Sequence, residues 1–334
     1  MEQQAPAKPR PAFLRLIARR ELGPFLLLLL EVLIFQALSH DFLSPLNISN
    51  TLDFTVELGM MALATTLLMT AGEFDLSVGS VFGFSAVVMW TLKNSGATSL
   101  AVGFVVAMAV AALIGLANGW FVTRLRITSF LVTLGMLLVV RGAALFITSG
   151  FPQRTWSAEG SRFASLLVGE MRFGKFHVYA SLFWFVGLAV VLGYLLARTR
   201  TGNWIQASGG NPGAARARGV NVARTKTWLF VLTSMVSAFA GIISSIRTSA
   251  ANPNSGTGYE LEVIAMVVIG GTALTGGRGT IIGTLIGVLI LRLMRNGIVL
   301  VGVPGLAYNI FIGAIILAMV GLHASLERRR RAES

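Results

Sequence analysis

Residues 198–226 read RTRTGNWIQASGGNPGAARARGVNVARTK, a stretch with six Lys or Arg, five glycines and no acidic residue. Apolar runs near 177–197 and 227–247 flank it, each long enough to cross a bilayer. A basic loop between two such runs reads as a cytoplasmic docking surface. Within it, Asn211 to Gly219 reads as a miniature helix, with Asn211 as N-cap, Pro212 at the first helical position and Gly219 as the left-handed stop. Two turns are marginal alone in water, so a groove on a partner is expected to hold them. Ala215 and Arg218, three apart, share a face, and Arg216 points elsewhere, toward lipid phosphates.

Outward from this loop the chain is chiefly apolar. Of its 334 residues, 54% are hydrophobic and 12% charged. With a mean hydropathy of +0.75, it is expected to be an all-α polytopic membrane protein. A net charge of +13 would suggest nucleic acid in a soluble chain, but these basic residues sit at the ends of apolar spans. There they act as topology signals and anionic-lipid contacts, and no nucleic-acid partner is expected. The chain has no cysteine, and His40, His177 and His323 are scattered, so neither thiolate chemistry nor a metal site is expected.

On a template of about 20 apolar residues per crossing, ten transmembrane helices are expected, near 22–38, 53–71, 76–92, 99–122, 128–148, 177–197, 227–247, 260–275, 280–298 and 303–322. The first resembles a signal peptide, but Glu31 within it and the nine further spans favour an uncleaved helix. This divides the chain into a basic N-terminal segment 1–21, a permeation domain 22–322 and a basic tail 323–334. With the N-terminus cytoplasmic, 18 of the 27 Lys and Arg lie inside, 8 lie outside, and Arg141 lies within a span. That bias places both termini and the 198–226 loop in the cytoplasm. Arg292 and Arg295 are exceptions that either snorkel at the outer interface or mark a misjudged ninth span. The longest outside connection, 149–176, either meets a partner or covers the pore mouth.

Polar groups at membrane depth are functional candidates. Arg141 needs a carboxylate, backbone carbonyls or water. Glu73 and Asp75 interrupt an apolar run, forming either a turn in which Asp75 or Ser77 caps the next helix, or a re-entrant break lining a pathway. Glu260 and Glu262 follow a Gly-rich turn at the start of the eighth span, where their negative charge suits a helix N-terminus. Gly79-x-x-x-Gly83, Gly115-x-x-x-Gly119 and Gly279-x-x-x-Gly283-x-x-x-Gly287 allow close helix packing, within a subunit or between subunits. Their recurrence in both halves hints at an internal repeat. Gly169 to Phe176 has P-loop spacing but carries Phe176 where Ser or Thr must hold magnesium, so nucleotide binding there is rejected.

Taken in order, GEFDLSVGS (72–80), TSFLVTLGMLLVVRGAALFITSG (128–150), ASGGNPGAARARGVNVARTK (207–226) and GTGYELEVIAMVVIGGTALTGGRGTIIGTLIG (256–287) resemble the permease subunits of bacterial ABC importers of the ribose, xylose and autoinducer-2 type. The resemblance runs from about Leu43 to Val320. It departs from the family pattern at Gly72-Glu73-Phe74, where the family usually has two glycines and an aliphatic residue. It implies a multi-pass inner-membrane permease that works as a pair of copies or paralogues. Such a permease takes a small neutral solute, a sugar, from a periplasmic binding protein and is driven by a separate cytoplasmic ATPase subunit. Carried onto matching residues, it implies a coupling helix with Gly210, Asn211, Ala214, Arg218 and Gly219, and a pathway near Asp75, Arg141, Tyr259 and Glu260. It implies no catalytic residue and no cofactor in this chain. The competing readings are an ion-gradient transporter with Glu73, Asp75 or Arg141 as a proton relay, and a branched-chain amino acid permease of similar architecture.

Overall fold

The computed structural model describes residues 22–96, 98–155, 161–308, 310–314 and 317. The segments 1–21 and 323–334, and much of the expected tenth span, lie outside the described residues. The regular structure of the described chain is helical apart from two short antiparallel strand pairings, Gln153–Arg154 with Ala250–Ala251 and the Glu170–Tyr179 hairpin. In order it forms α1 (Leu22–Leu38), α2 (Pro45–Thr70), α3 (Val78–Asn94), α4 (Leu100–Arg124), α5 (Ser129–Thr148), β1 (Gln153–Arg154), α6 (Arg162–Val168), β2 (Glu170–Phe173) and β3 (Phe176–Tyr179). Then come α7 (Ser181–Arg198), α8 (Arg200–Gly210), α9 (Pro212–Ala217), α10 (Val222–Arg247), β4 (Ala250–Ala251), α11 (Tyr259–Ile269), α12 (Ile281–Leu300) and a 3-10 turn, Gly305–Ala307.

Helix α2 is the axis of the molecule. Every residue from Thr55 to Thr70 is buried, which suits a segment made mostly of Leu, Met, Ala and Thr, with Glu57 its one charged residue. Its threonines return their hydroxyls to the backbone four residues earlier, as Thr66 does to Ala62 O (2.7 Å) and Thr70 to Thr66 O (2.6 Å). Ser44 caps its start, accepting from Asn47 N at 3.3 Å, with Pro45 in the first turn. Around this axis pack α7, α10, α11 and α12. Helices α4, α5 and α7 present apolar residues outward, among them Val105, Leu138, Val139 and Val190, the pattern of a lipid-facing surface.

The expected count of ten crossings is not what the helices show. Among the described residues, six helices are long and apolar enough to cross a membrane: α2, α4, α5, α7, α10 and α12. Helices α1 and α3 have 17 residues each, and α11 has 11. At 1.5 Å per residue, α11 covers roughly 16 Å, about half a hydrocarbon core. The cause is irregular backbone, at 71–77 before α3 and at 248–258 before α11. The expected eighth span, 260–275, stays helical only to Ile269, whereas the ninth is a regular helix to Leu300.

The glycine spacings divide by role. Gly115 and Gly119 of α4 lie against Phe230, Val231 and Thr227 of α10, and Gly283 and Gly287 lie against Gly270 and Met266. These are close packings within one chain. Gly169 to Phe176 falls in the β2–β3 hairpin, paired Glu170↔Tyr179 to Phe173↔Phe176, not in a strand–loop–helix phosphate cradle.

Candidate coupling and translocation sites

The miniature helix of the basic loop is present as α9, and its caps are those the sequence dictates. Asn211 Oδ1 accepts from Ala214 N at 3.0 Å, and Pro212 follows in the first turn. At the other end Gly219 takes φ +83°, a conformation that favours glycine. Gly219 N donates to Arg216 O (2.9 Å) and Val220 N to Ala215 O (3.0 Å), the paired bonds of a Schellman stop. One expectation is corrected. Ala215 does not share an outward face with Arg218: it is 4% exposed, turned onto the body of the chain, while Ala214, Arg216, Ala217 and Arg218 are exposed. The chain itself therefore seats one side of this helix.

Just before α9, Gly209 and Gly210 close α8 against two other turns. A Cβ on Gly209 would lie 2.6 Å from Gly277 N, so only glycine lets these backbones meet. Gly277 N donates to Thr70 O at 2.8 Å, joining the end of α2 to the 270–280 segment. Lys226 in α10 pairs with Glu73 at 2.5 Å. The loop is thus tied to the ends of α2, α10 and the segment before α12, and Glu73 is committed to an ion pair.

Asp75 is wholly buried and holds the turn into α3. Its Oδ1 accepts from Ser77 N (2.8 Å) and Ser77 Oγ (2.5 Å), and Asn118 of α4 donates to Ser77 Oγ at 3.0 Å. Ser77 occupies the N-cap position but makes no side-chain cap bond, so the stabilising acceptor is Asp75. Two α5 hydroxyls complete the turn, Ser129 accepting from Phe74 N (3.2 Å) and Thr133 from Leu76 N (3.0 Å). Asp75 is fully buried behind these partners, and its Oδ2 has no hydrogen-bond partner among the described residues.

Arg141 and Glu260 both reach the Gly79–Gly83 face of α3, whereas Tyr259 packs on Phe82. Arg141 Nη1 donates to Pro253 O (2.7 Å) and Ser255 O (2.8 Å), so its partners are backbone carbonyls of the irregular 248–258 segment. A Cβ on Gly83 would stand 2.6 Å from Ser255 O, and Gly79 lies against Gly256 O and the Glu260 carboxylate. The Gly79–Gly83 face of α3 therefore receives a non-helical segment, not another helix. Glu260 Oε1 accepts from Gly258 N at 3.2 Å, and its Oε2 has no hydrogen-bond partner among the described residues. Tyr259 meets Phe82 edge-on at 5.3 Å between centroids. Irregular backbone at membrane depth is tolerated where it is buried or lines a cavity; here one guanidinium satisfies two of its carbonyls.

A second charged group was missed from sequence. Glu57 in α2 pairs with Arg247 of α10 at 2.7 Å, with side chains only 4% and 9% exposed. His177 of β3 meets Asp53 at 3.0 Å, Arg292 of α12 pairs with Glu262 at 3.0 Å, and Tyr308 donates to Glu262 at 2.8 Å. Arg292 also donates to Phe54 O. Of the two options left for Arg292, neither describes it: it is buried and paired inside a correctly located helix. Glu262 is likewise a pairing partner, beyond any service to the helix N-terminus. The i, i+4 spacing of Asp53 and Glu57 in an otherwise apolar helix was the available signal.

Comparison with known proteins agrees with this architecture. Residues 47–320 match the family described as branched-chain amino acid transport system / permease component. The chain is 36% identical over 296 residues to the ribose import permease protein RbsC of Escherichia coli K12, covering 88% of this chain and 90% of that one. It is 36% identical over 313 residues to RbsC of Bacillus subtilis, covering 94% of each. Against the L-arabinose ABC transporter permease protein AraH of Azospirillum brasilense it is 36% identical over 328 residues, 98% of this chain and 94% of that one. A match over most of its length, with the capped loop helix and glycine-joined turns in the matched region, shows that the chain is a multi-pass membrane protein belonging to this permease family.

Proposed function

We propose that the chain is the membrane subunit of an ATP-driven importer that passes a monosaccharide or sugar-like solute across the bacterial inner membrane. The observation that carries this reading is α9: a fully capped helix, seated by Ala215 on the body, that turns Ala214, Arg216 and Arg218 outward. A separate cytoplasmic ATPase subunit would grip that face, with Gly210, Asn211 and Gly219 holding the helix. Movement there would pass through the Gly209–Gly277–Thr70 junction and the Lys226–Glu73 pair to α2, α10 and α12. The names of the ribose and arabinose permeases support the sugar class.

In this reading both termini and α9 face the cytoplasm, in line with the bias of 18 basic residues to 8. Nine crossings are reached among the described residues when α1, α3 and α11 each count as one, the last two completed by irregular backbone; the expected tenth, 303–322, lies partly outside the described residues. Arg141, Tyr259 and Glu260 stand beside the solute's path, and Asp75 supports it from behind. A periplasmic binding protein delivers the solute on the side of the β2–β3 hairpin, and a second copy or a paralogue completes the pair. The ion-gradient alternative is disfavoured because Glu73 is held by Lys226 and Asp75 Oδ1 by Ser77 of the α3 turn.

Co-purification tests the docking face. Arg218→Glu is expected to leave the permease in the membrane but release the ATPase, because losing one member of a charge pair at an interface costs about 2–5 kcal/mol. Full ATPase recovery with this variant would remove α9 from the interface.

A further inference from the structure

A groove of about 530 Å³ runs between α7 and the first turns of α12, lined by Val186, Val190 and Tyr194 on one side and Ile282 and Leu285 on the other. It extends from Phe185 to Ala197, roughly 18 Å of helix at 1.5 Å per residue. That is close to one leaflet's share of a hydrocarbon core about 30 Å thick. At one end it shares Gln206, Gly279 and Thr280 with a second hollow of about 220 Å³, which Arg278 also lines. Arg198 directly follows the lining residue Ala197, and both guanidiniums are exposed. Neither Arg198 nor Arg278 forms an ion pair among the described residues.

We propose that this groove holds one anionic phospholipid, an acyl chain lying along α7 and the phosphate meeting Arg278 and Arg198. The apolar length matches a single leaflet, and the polar end carries the charge complementary to a phosphate where a headgroup would sit. A second copy of the chain is the poorer occupant: twofold pairing through this face would set the same arginines against their symmetry mates. The leaflet, cytoplasmic, follows from the orientation proposed above. Binding itself depends on neither the solute nor the ATPase, so the lipid site and the importer reading can fail separately.

Native mass spectrometry of the full-length chain in detergent tests this with phosphatidylglycerol, phosphatidylcholine and inorganic phosphate as probes. One phosphatidylglycerol should survive the detergent wash, phosphatidylcholine should be retained on the order of tenfold less, and excess phosphate should displace neither. Arg278→Gln and Arg198→Gln should each weaken phosphatidylglycerol retention about fivefold, the effect of roughly one interfacial charge. Val190→Trp, which fills the groove away from both arginines, should abolish it. Should one variant fail to fold, the other arginine variant and the comparison of the two lipids decide. Equal retention of both lipids, unchanged retention in the arginine variants, or a disulfide between copies through Val190→Cys would each overturn the proposal.

Discussion

Arg141 brings a full charge to the middle of the bundle and spends it on two carbonyls, Pro253 O and Ser255 O. Removing it leaves both acceptors without their donor, at a cost of about 1–3 kcal/mol. Arg141→Ala should therefore lower thermal stability and transport together, with Arg141→Lys intermediate because it keeps the charge but loses the planar fork. Wild-type melting and uptake in Arg141→Ala would show that the 252–258 backbone needs no such clamp. The Glu57–Arg247 pair behaves differently. Breaking one side of a buried pair costs about 3–5 kcal/mol, whereas replacing both members with apolar residues can be nearly neutral. Glu57→Leu should thus destabilise the chain strongly and Glu57→Leu with Arg247→Leu should recover most of the loss, read as melting temperatures in detergent. At this scale the sequence conveyed that Arg141 needs partners, yet not which. Glu57 and Arg247 stand 190 residues apart, and no local pattern announces a pairing that only the fold creates.

Elements were legible where their signals are local. The ends of α9 follow from Asn211, Pro212 and Gly219, all within nine residues, so the helix could be read before any tertiary structure was known. Its outward face could not, because which side Ala215 takes depends on packing against α8 and α10. Helix lengths failed for a related reason: a window of about 20 apolar residues does not register a break made by glycine turns and an aspartate-held corner. Gly219→Val tests the element. A β-branched residue at φ +83° should cost about 1–2 kcal/mol, fraying the end of α9. ATPase association should fall while α9-independent properties, such as membrane insertion, remain. Retention of the ATPase at wild-type level would show that the Schellman stop is dispensable for docking.

At the scale of the whole molecule, a buried α2 is ringed by helices whose irregular joints gather into two sets. One set, Gly72, Gly209 and Gly277 with Glu73–Lys226, binds the basic loop to the core. The other joins Arg141 to the 252–260 segment, between α3, α5 and α11. Such a frame can pass a displacement at α9 to the bundle, which is what the proposed drive by a separate ATPase requires. The most direct test is solute uptake into proteoliposomes holding the chain with its ATPase, the binding protein supplied outside and a panel of radiolabelled monosaccharides offered in turn. Accumulation of at least one sugar is expected only when ATP is enclosed and the binding protein is present, unaffected by an uncoupler. Accumulation by the chain alone under a proton gradient, with no ATPase present, would contradict it.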